Sequence, residues 1–222
     1  LKGRIVFEPR FRSADAVRGL EGFEYIWLIW GFSGNKPRSA AEATSSVAER
    51  ETFQATVRPP RLGGNERIGV FASRSPFRPN GLGLSSVRLE SIEYDAKDPD
   101  GKPVGPVINV LGADLMDGTP IYDIKPYVSY ADSHPEAASG FVDGKEWNPL
   151  KVVFAPSVTE PFEVAGWTKA DVAALEEVLA QDPRPSYQND PDKVYGMIFN
   201  DLDVRFKVDG DVLTVVGIKH PK

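Results

Sequence analysis

Cysteine is absent from all 222 residues, which removes disulfides, thiolate nucleophiles and cysteine-ligated zinc or iron–sulfur centres. Histidine is nearly absent, with only His134 and His220 offering an imidazole. His134 follows Asp132-Ser133, but adjacent side chains on a strand or turn point different ways, so the trio does not form a hydrolytic triad. No apolar run approaches the roughly 18 to 20 residues of a membrane-spanning helix, and no charged and apolar leader marks a signal peptide at Leu-Lys-Gly-Arg-Ile. The expectation is a soluble, metal-free, cytoplasmic protein. P-loop, His-Glu-x-x-His and nucleophile-elbow patterns are missing too. Gly81-Leu-Gly83 is half of a dinucleotide fingerprint, but it follows Pro79-Asn80, lacks the third glycine and leads into a β pattern, which excludes a Rossmann turn.

What is present is mostly β. Ile5-Val-Phe7, Tyr25 to Trp30, Ile68 to Ala72, Val87 to Tyr94, Val104 to Leu111 and Val152 to Phe154 are short, rich in β-branched and aromatic residues, and bounded by Gly, Pro or Asp. Such spacing predicts a β-barrel or sandwich. After Pro156 the composition shifts. Thr168-Lys-Ala-Asp171 has the form of a capping box, and Val172, Leu175, Val178 and Leu179 share one helical face, predicting a helix over 169–180. Pro183 and Pro185 end it. Val194 to Asn200, Val204 to Val208 and Val212 to Ile218 alternate as strands, the last two joined at Asp209-Gly210, a strong hairpin signal. The expected architecture is an N-terminal β-barrel over residues 1–156, with a small α+β domain over 157–222.

A formal charge of −6 argues mildly against a non-specific polyanion binder, since nucleic-acid affinity rests on Lys and Arg displacing counterions. The charge is unevenly spread, however: Arg58 to Arg88 holds six arginines against one acid, Glu66. Four stretches there and beyond are dense in polar residues without helix or strand logic. "TVRPPRLGGN" and "RSPFRPNGLGLS" set arginines on backbones that proline stiffens and glycine bends. "ADLMDGTPIYDIKPY" gathers Asp114, Asp117, Asp123, Lys125 and Tyr127, and "AQDPRPSYQ" repeats the Arg-Pro device. Turns need Gly, Pro, Asn and Asp but have no use for repeated Arg-Pro pairs. The small, polar, unpatterned stretch Lys36 to Thr52 is expected to be a loop of lid type.

"VRPPRLGGNERIGVFASRSPFRPNGLGLSSVRLESIE", "GADLMDGTPIYDIKPYVSYADSHP" and "AQDPRPSYQNDPDKVYG" resemble the hallmark segments of the TsaA-like (YaeB-type) family, and the likeness runs over essentially the whole chain. The resemblance implies a homodimeric S-adenosyl-L-methionine-dependent tRNA methyltransferase. It would be built on a β-barrel and act on N6 of threonylcarbamoyladenosine at position 37, in the anticodon stem-loop. It implies a cofactor site from Ser33, Gly34, Arg74, Leu84, Asp114, Leu115, Met116 and Asp117, near the dimer interface. Asp123, Lys125 and Tyr127 then lie on the substrate side as catalytic residues, and Arg58, Arg61, Arg78 and Arg184 are expected to meet RNA. Many relatives carry His-Gln where Ser33-Gly34 stands, and Asn-Pro-Ile-Gly where Asn80-Gly-Leu-Gly83 stands. Relatives also place a strand and a "PRQ" segment, which helps hold the cofactor, ahead of the position matched by Leu1. The alternative expectation is a cofactor- or RNA-binding module without turnover.

Overall fold

Tyr25–Gly31 (β2) shows how the sequence sets the first sheet. Successive side chains alternate across a strand. Ile26 and Leu28 are fully buried on one face, and Tyr25, Trp27 and Ile29 take the other. In the computed structural model, which describes residues 1–33, 55–59, 66–144, 148–158, 167–184, 188–200 and 202–220, β2 lies inside a five-stranded antiparallel sheet. The other members are β1 (Lys2–Val6), β5 (Leu82–Glu93), β6 (Val107–Leu111) and β7 (Ile121–Pro126), in the order β1-β6-β5-β2-β7. Two short strands, β3 (Thr56–Val57) and β4 (Ile68–Gly69), pair separately. The inner face of the large sheet contributes Ile26, Leu28, Val87, Ile108 and Val110 to a core that Val17, from the turn Ala14–Val17, completes. No hydrogen-bonded pairing joins β1 to β7 among the described residues.

A second sheet combines β8 (Lys151–Phe154), β9 (Tyr195–Phe199), β10 (Leu202–Asp209) and β11 (Val212–Lys219) in the order β8-β11-β10-β9. The chain divides into two compact units, Leu1–Val57 with Ile68–Glu136, and Arg58–Arg67 with Ala137–Lys222. The helix Lys169–Ala180 buries Leu175 and Leu179 in a core with Val204, Phe206, Leu213 and Val215. It begins with the capping box expected from its sequence. The Thr168 hydroxyl accepts from the Asp171 N–H at 3.3 Å, and the Asp171 carboxylate accepts from the Thr168 N–H at 2.8 Å. Among the described residues no helix is long and apolar enough to cross a membrane.

Four segments differ from the sequence expectation. Val152 to Phe154, grouped with the barrel strands by its position, pairs in parallel with β11 instead. Ile68 to Ala72 is a strand for two residues and then a 3-10 turn. The hairpin loop is Gly210-Asp211 rather than Asp209-Gly210, because Asp209 still pairs with Val212 and Gly210 takes the positive φ of 56°. Residues 121–126 are a strand although they lack clean alternation. The ladder slips between Ile29 and Trp30, so Tyr122 is an extra residue between the pairs Ile29↔Asp123 and Trp30↔Ile121. Pro126 is tolerated because β7 is an edge strand.

Candidate active site

Directly opposed residues of antiparallel strands share a face. Trp27 stands between Ser86 on β5 and Lys125 on β7, and Ile29 between Leu84 and Asp123. The outer face of the first sheet therefore carries Leu84, Asp123 and Lys125 side by side, away from the Ile26 and Leu28 core. Tyr127 joins them: its N–H donates to the Tyr25 carbonyl at 3.0 Å, and its ring lies 5.7 Å from Trp27 and 6.2 Å from Tyr25 between centroids. Asp123 and Lys125 are exposed. The Asp123 Oδ1 accepts from the Ile124 N–H at 2.9 Å, leaving Oδ2 without a partner among the described residues.

The loops arrive at one end of this sheet. The Gly31 N–H donates to the Pro120 carbonyl at 3.0 Å and the Phe32 N–H to the Gly81 carbonyl at 2.9 Å. These bonds draw the 74–81 loop, the 112–120 loop and the segment leading to Ser33 together. The 74–81 loop is stiffened from within. Arg78 Nη1 donates to the Ser73 carbonyl at 2.7 Å and the Val70 carbonyl at 3.4 Å. Ser73 Oγ donates to the Val70 carbonyl at 2.9 Å and accepts from the Ser75 N–H at 3.3 Å. Arg74 projects from this frame exposed, with no hydrogen bond or ion pair among the described residues. In the 112–120 loop, Leu115 packs on the sheet core while Met116 is exposed. Asp114 and Asp117 are exposed beside it.

The structure thus assembles Leu84, Asp123, Lys125 and Tyr127 on one surface and sets the Arg74, Asp114 to Asp117 and Ser33 segments at its end. It also reveals Trp27 and Tyr25 beside Tyr127, which sequence reasoning missed. Their signal was the alternation Tyr25-Ile-Trp27-Leu-Ile29, in which the aromatics fall on the face opposite the core. The four expected RNA contacts separate. Arg58 is exposed beyond β3. Arg78 is half-buried and bound to backbone carbonyls. Arg184 forks onto Asp182 through Nε and Nη2, both at 2.8 Å, and its side chain is only 9% exposed. That hydrogen bonding holds the Asp182 carboxyl below its ordinary value and raises the Arg184 guanidinium. Gly34, Arg61, Pro185 and the 36–52 stretch lie outside the described residues. No cluster of three or more His, Asp or Glu side chains suited to a metal occurs among the described residues.

Comparison with known proteins covers both units. The tRNA-methyltransferase O N-terminal domain matches residues 1–133, and the TrmO C-terminal domain matches 148–221. A tRNA (adenine(37)-N6)-methyltransferase from Eikenella corrodens is 44% identical over 196 residues, 88% of this chain and 97% of that protein. A Pseudomonas aeruginosa relative that bears S-adenosylmethionine-dependent methyltransferase in its name is 37% identical over 92% of this chain and 79% of its own. The crystal structure of TrmO from Pseudomonas aeruginosa superposes with a TM-score of 0.68 at 30% identity, covering 98% of this chain and 84% of that one. With the fold and both halves of the sequence matched, the chain belongs to the tRNA-methyltransferase O family.

Proposed function

We propose that the protein methylates N6 of the adenosine at position 37 of tRNA, in its threonylcarbamoylated form, using S-adenosyl-L-methionine. The observation that carries this reading is the meeting of Leu84 from β5 with Asp123 and Lys125 from β7 and Tyr127 just beyond it, on the outer face of the first sheet. The residues at the end of the sheet fit the cofactor. Arg74 has a fork of donors and no partner among the described residues, which suits a carboxylate. Asp114 and Asp117 would accept from ribose hydroxyls or an ammonium, exposed Leu84 would pack on an adenine, and Ser33 and exposed Met116 would complete the contacts, with Leu115 anchoring its loop on the sheet core. When bound, the cofactor supplies an activated methyl group with its own leaving group, so the protein chiefly aligns, and neither cysteine nor metal is needed.

On the substrate side, Asp123 Oδ2 takes the proton from the weakly acidic N6–H of the ureido group. Lys125, on the same face, donates to the adjoining carbonyl and offsets the developing negative charge. The Tyr127 ring, packed against Trp27, holds the base in the plane that aligns N6. We assign cofactor binding to the first unit, Leu1–Val57 with Ile68–Glu136. Stem-loop contacts fall to the second unit, with Arg58 and Arg61 assigned to phosphates, while Arg78 and Arg184 brace their own turns. Exposed Tyr25, Leu82 and Leu84 on the sheet face support pairing of two copies there as a homodimer, with the sheet curled toward a barrel. A tRNA substrate places the work in the cytoplasm.

Alanine at Asp123, Lys125 or Tyr127 is expected to lower single-turnover methylation of a threonylcarbamoylated anticodon stem-loop by 10²-fold or so, with cofactor affinity near wild type. Equal loss of methylation and cofactor binding, with a lower melting temperature, would mean that the strand is structural. Wild type that binds cofactor and RNA without turnover would make the protein a binding module.

A further inference from the structure

The outer face of the second sheet holds an arginine laid flat. Arg205 on β10 is flanked across the ladder by Gly196 on β9 and Gly217 on β11. A Cβ on Gly196 would stand 2.8 Å from Arg205 Nη1 and 2.9 Å from Cζ, so the guanidinium rests directly on the Gly196 backbone. Nε and Nη2 both donate to Asp203 Oδ2, at 3.0 and 2.6 Å, and Asp203 itself is 8% exposed. One edge of the plane is anchored in the sheet and one face lies on glycine, yet the side chain keeps 44% exposure. A groove lined by Gly196, Met197, Ile198, Asp203 and Arg205 opens there.

Glycine within a strand costs about 0.5 to 1 kcal/mol relative to alanine. Neither Gly196 nor Gly217 has a positive φ that would demand it. Gly196 provides clearance for the Arg205 guanidinium, whereas a Cβ on Gly217 would meet Arg205 only at an ordinary 3.7 Å. Lys207 follows Arg205 on the same face, and Lys219 pairs opposite Asp203. Neither lysine has an ion pair or hydrogen bond among the described residues.

Resting on the tRNA reading above, we infer that this groove receives one unpaired nucleobase of the tRNA, stacked on the Arg205 guanidinium, with the adjoining phosphates on Lys207 and Lys219. Bases released from a helix are held in this way, on aromatic rings or arginine planes. Charge complementarity favours RNA over an acidic-peptide partner, because the lysines flank a flat group whose own charge Asp203 already neutralises.

The test uses the full chain and measures tRNA binding from low to moderate salt, together with melting temperature and cofactor affinity. Arg205→Lys keeps a cation beside Asp203 and loses the plane. Gly196→Ala keeps the guanidinium and pushes it off its bed. Each is expected to weaken tRNA binding about tenfold with the salt slope, melting temperature and cofactor affinity near wild type. Lys219→Ala is expected to lower the slope by ~0.7 to 0.9. Full affinity in Arg205→Lys would mark a phosphate contact and overturn the stacking inference, as would full affinity in Gly196→Ala. Loss of tRNA binding, cofactor binding and thermal stability together would assign the pair to the fold and overturn it too. Wild type that binds no tRNA at any salt overturns the functional reading along with this one, whereas wild type that methylates tRNA while both variants bind normally overturns this inference alone.

Discussion

Gly83→Ala should damage the sheet end where the loops gather, although alanine is the mildest substitution available. Gly83 faces Trp30 across the β2–β5 ladder. A Cβ there would lie 2.3 Å from Trp30 Cε2 and 2.4 Å from Cζ2, where ordinary contact begins at 3.4 Å. The indole therefore has to retreat by about 1 Å. It has little room, since Phe32 packs edge-on against it at 4.4 Å between centroids and Nε1 donates to Ser85 Oγ at 3.0 Å. Overpacking costs about 1 to 3 kcal/mol and a lost hydrogen bond about 1 kcal/mol. Replacing a strand glycine returns about 0.5 to 1 kcal/mol, so the net loss is about 2 kcal/mol. Urea denaturation measures it, and the Trp30 indole N–H resonance reports the bond to Ser85 directly. Cofactor affinity should fall as well, because the displaced ring sits two residues before Phe32, whose N–H ties the segment to Gly81. A variant within 0.5 kcal/mol of wild type with an unmoved indole resonance would refute the reasoning.

Thr168→Ala removes the capping box and should cost about 1 kcal/mol. Asp171 is held below its ordinary value chiefly by the Thr168 side chain, so this stabilisation is complete above the unfolded-state pKa near 3.8. It is lost as pH falls through the lower folded value. The gap between wild type and variant in denaturant midpoint should therefore close below about pH 4, and a gap constant to pH 2 would contradict it. Arg184→Ala should lower stability by about 1 to 2 kcal/mol, since it strands a partly buried carboxylate, and leave the salt slope of tRNA binding unchanged. Arg58→Ala should do the opposite, lowering the slope by ~0.7 to 0.9 at constant melting temperature. Calorimetry of Arg74→Ala should show a large loss of cofactor affinity that Arg74→Lys recovers only in part; equal affinity in all three proteins would remove Arg74 from the site.

Legibility in the sequence followed the strength of local signals. The helix at 169–180 was readable to the residue, because Thr168 and Asp171 fix its start and Pro183 forbids continuation. The hairpin of β10 and β11 was readable to within one position of its turn. The β7 strand was not, because Tyr122 breaks the alternation and Pro126 argues against a ladder; only pairing with β2 makes 121–126 extended. The same blindness hid the site. Asp123, Lys125 and Tyr127 were recognisable as polar residues without a turn's logic, but no local pattern announces that they share a face with Leu84, forty residues upstream. Arg184 illustrates the reverse case. An arginine before a proline suggests an outward-facing cation, yet Asp182, two residues earlier, takes both arms of its fork.

The parallel pairing of β8 with β11 bears on how the protein is made. Lys151–Phe154 is synthesised some sixty residues before Val212–Lys219, its one neighbour in the sheet among the described residues. Until the ribosome delivers β11, β8 has an unsatisfied edge, and the helix 169–180 has no Leu213 or Val215 to cover. The N-terminal sheet has every one of its strands by residue 126 and can close during translation, while the second sheet waits for the strand that becomes its interior. Non-local closure of this kind is slow, and the waiting segments expose apolar surface meanwhile. A chain that stops at Gly210 would therefore keep a complete first sheet but leave β8 cut off from the β9–β10 pair, with Val152, Leu175 and Phe206 as the surfaces a chaperone or protease meets first.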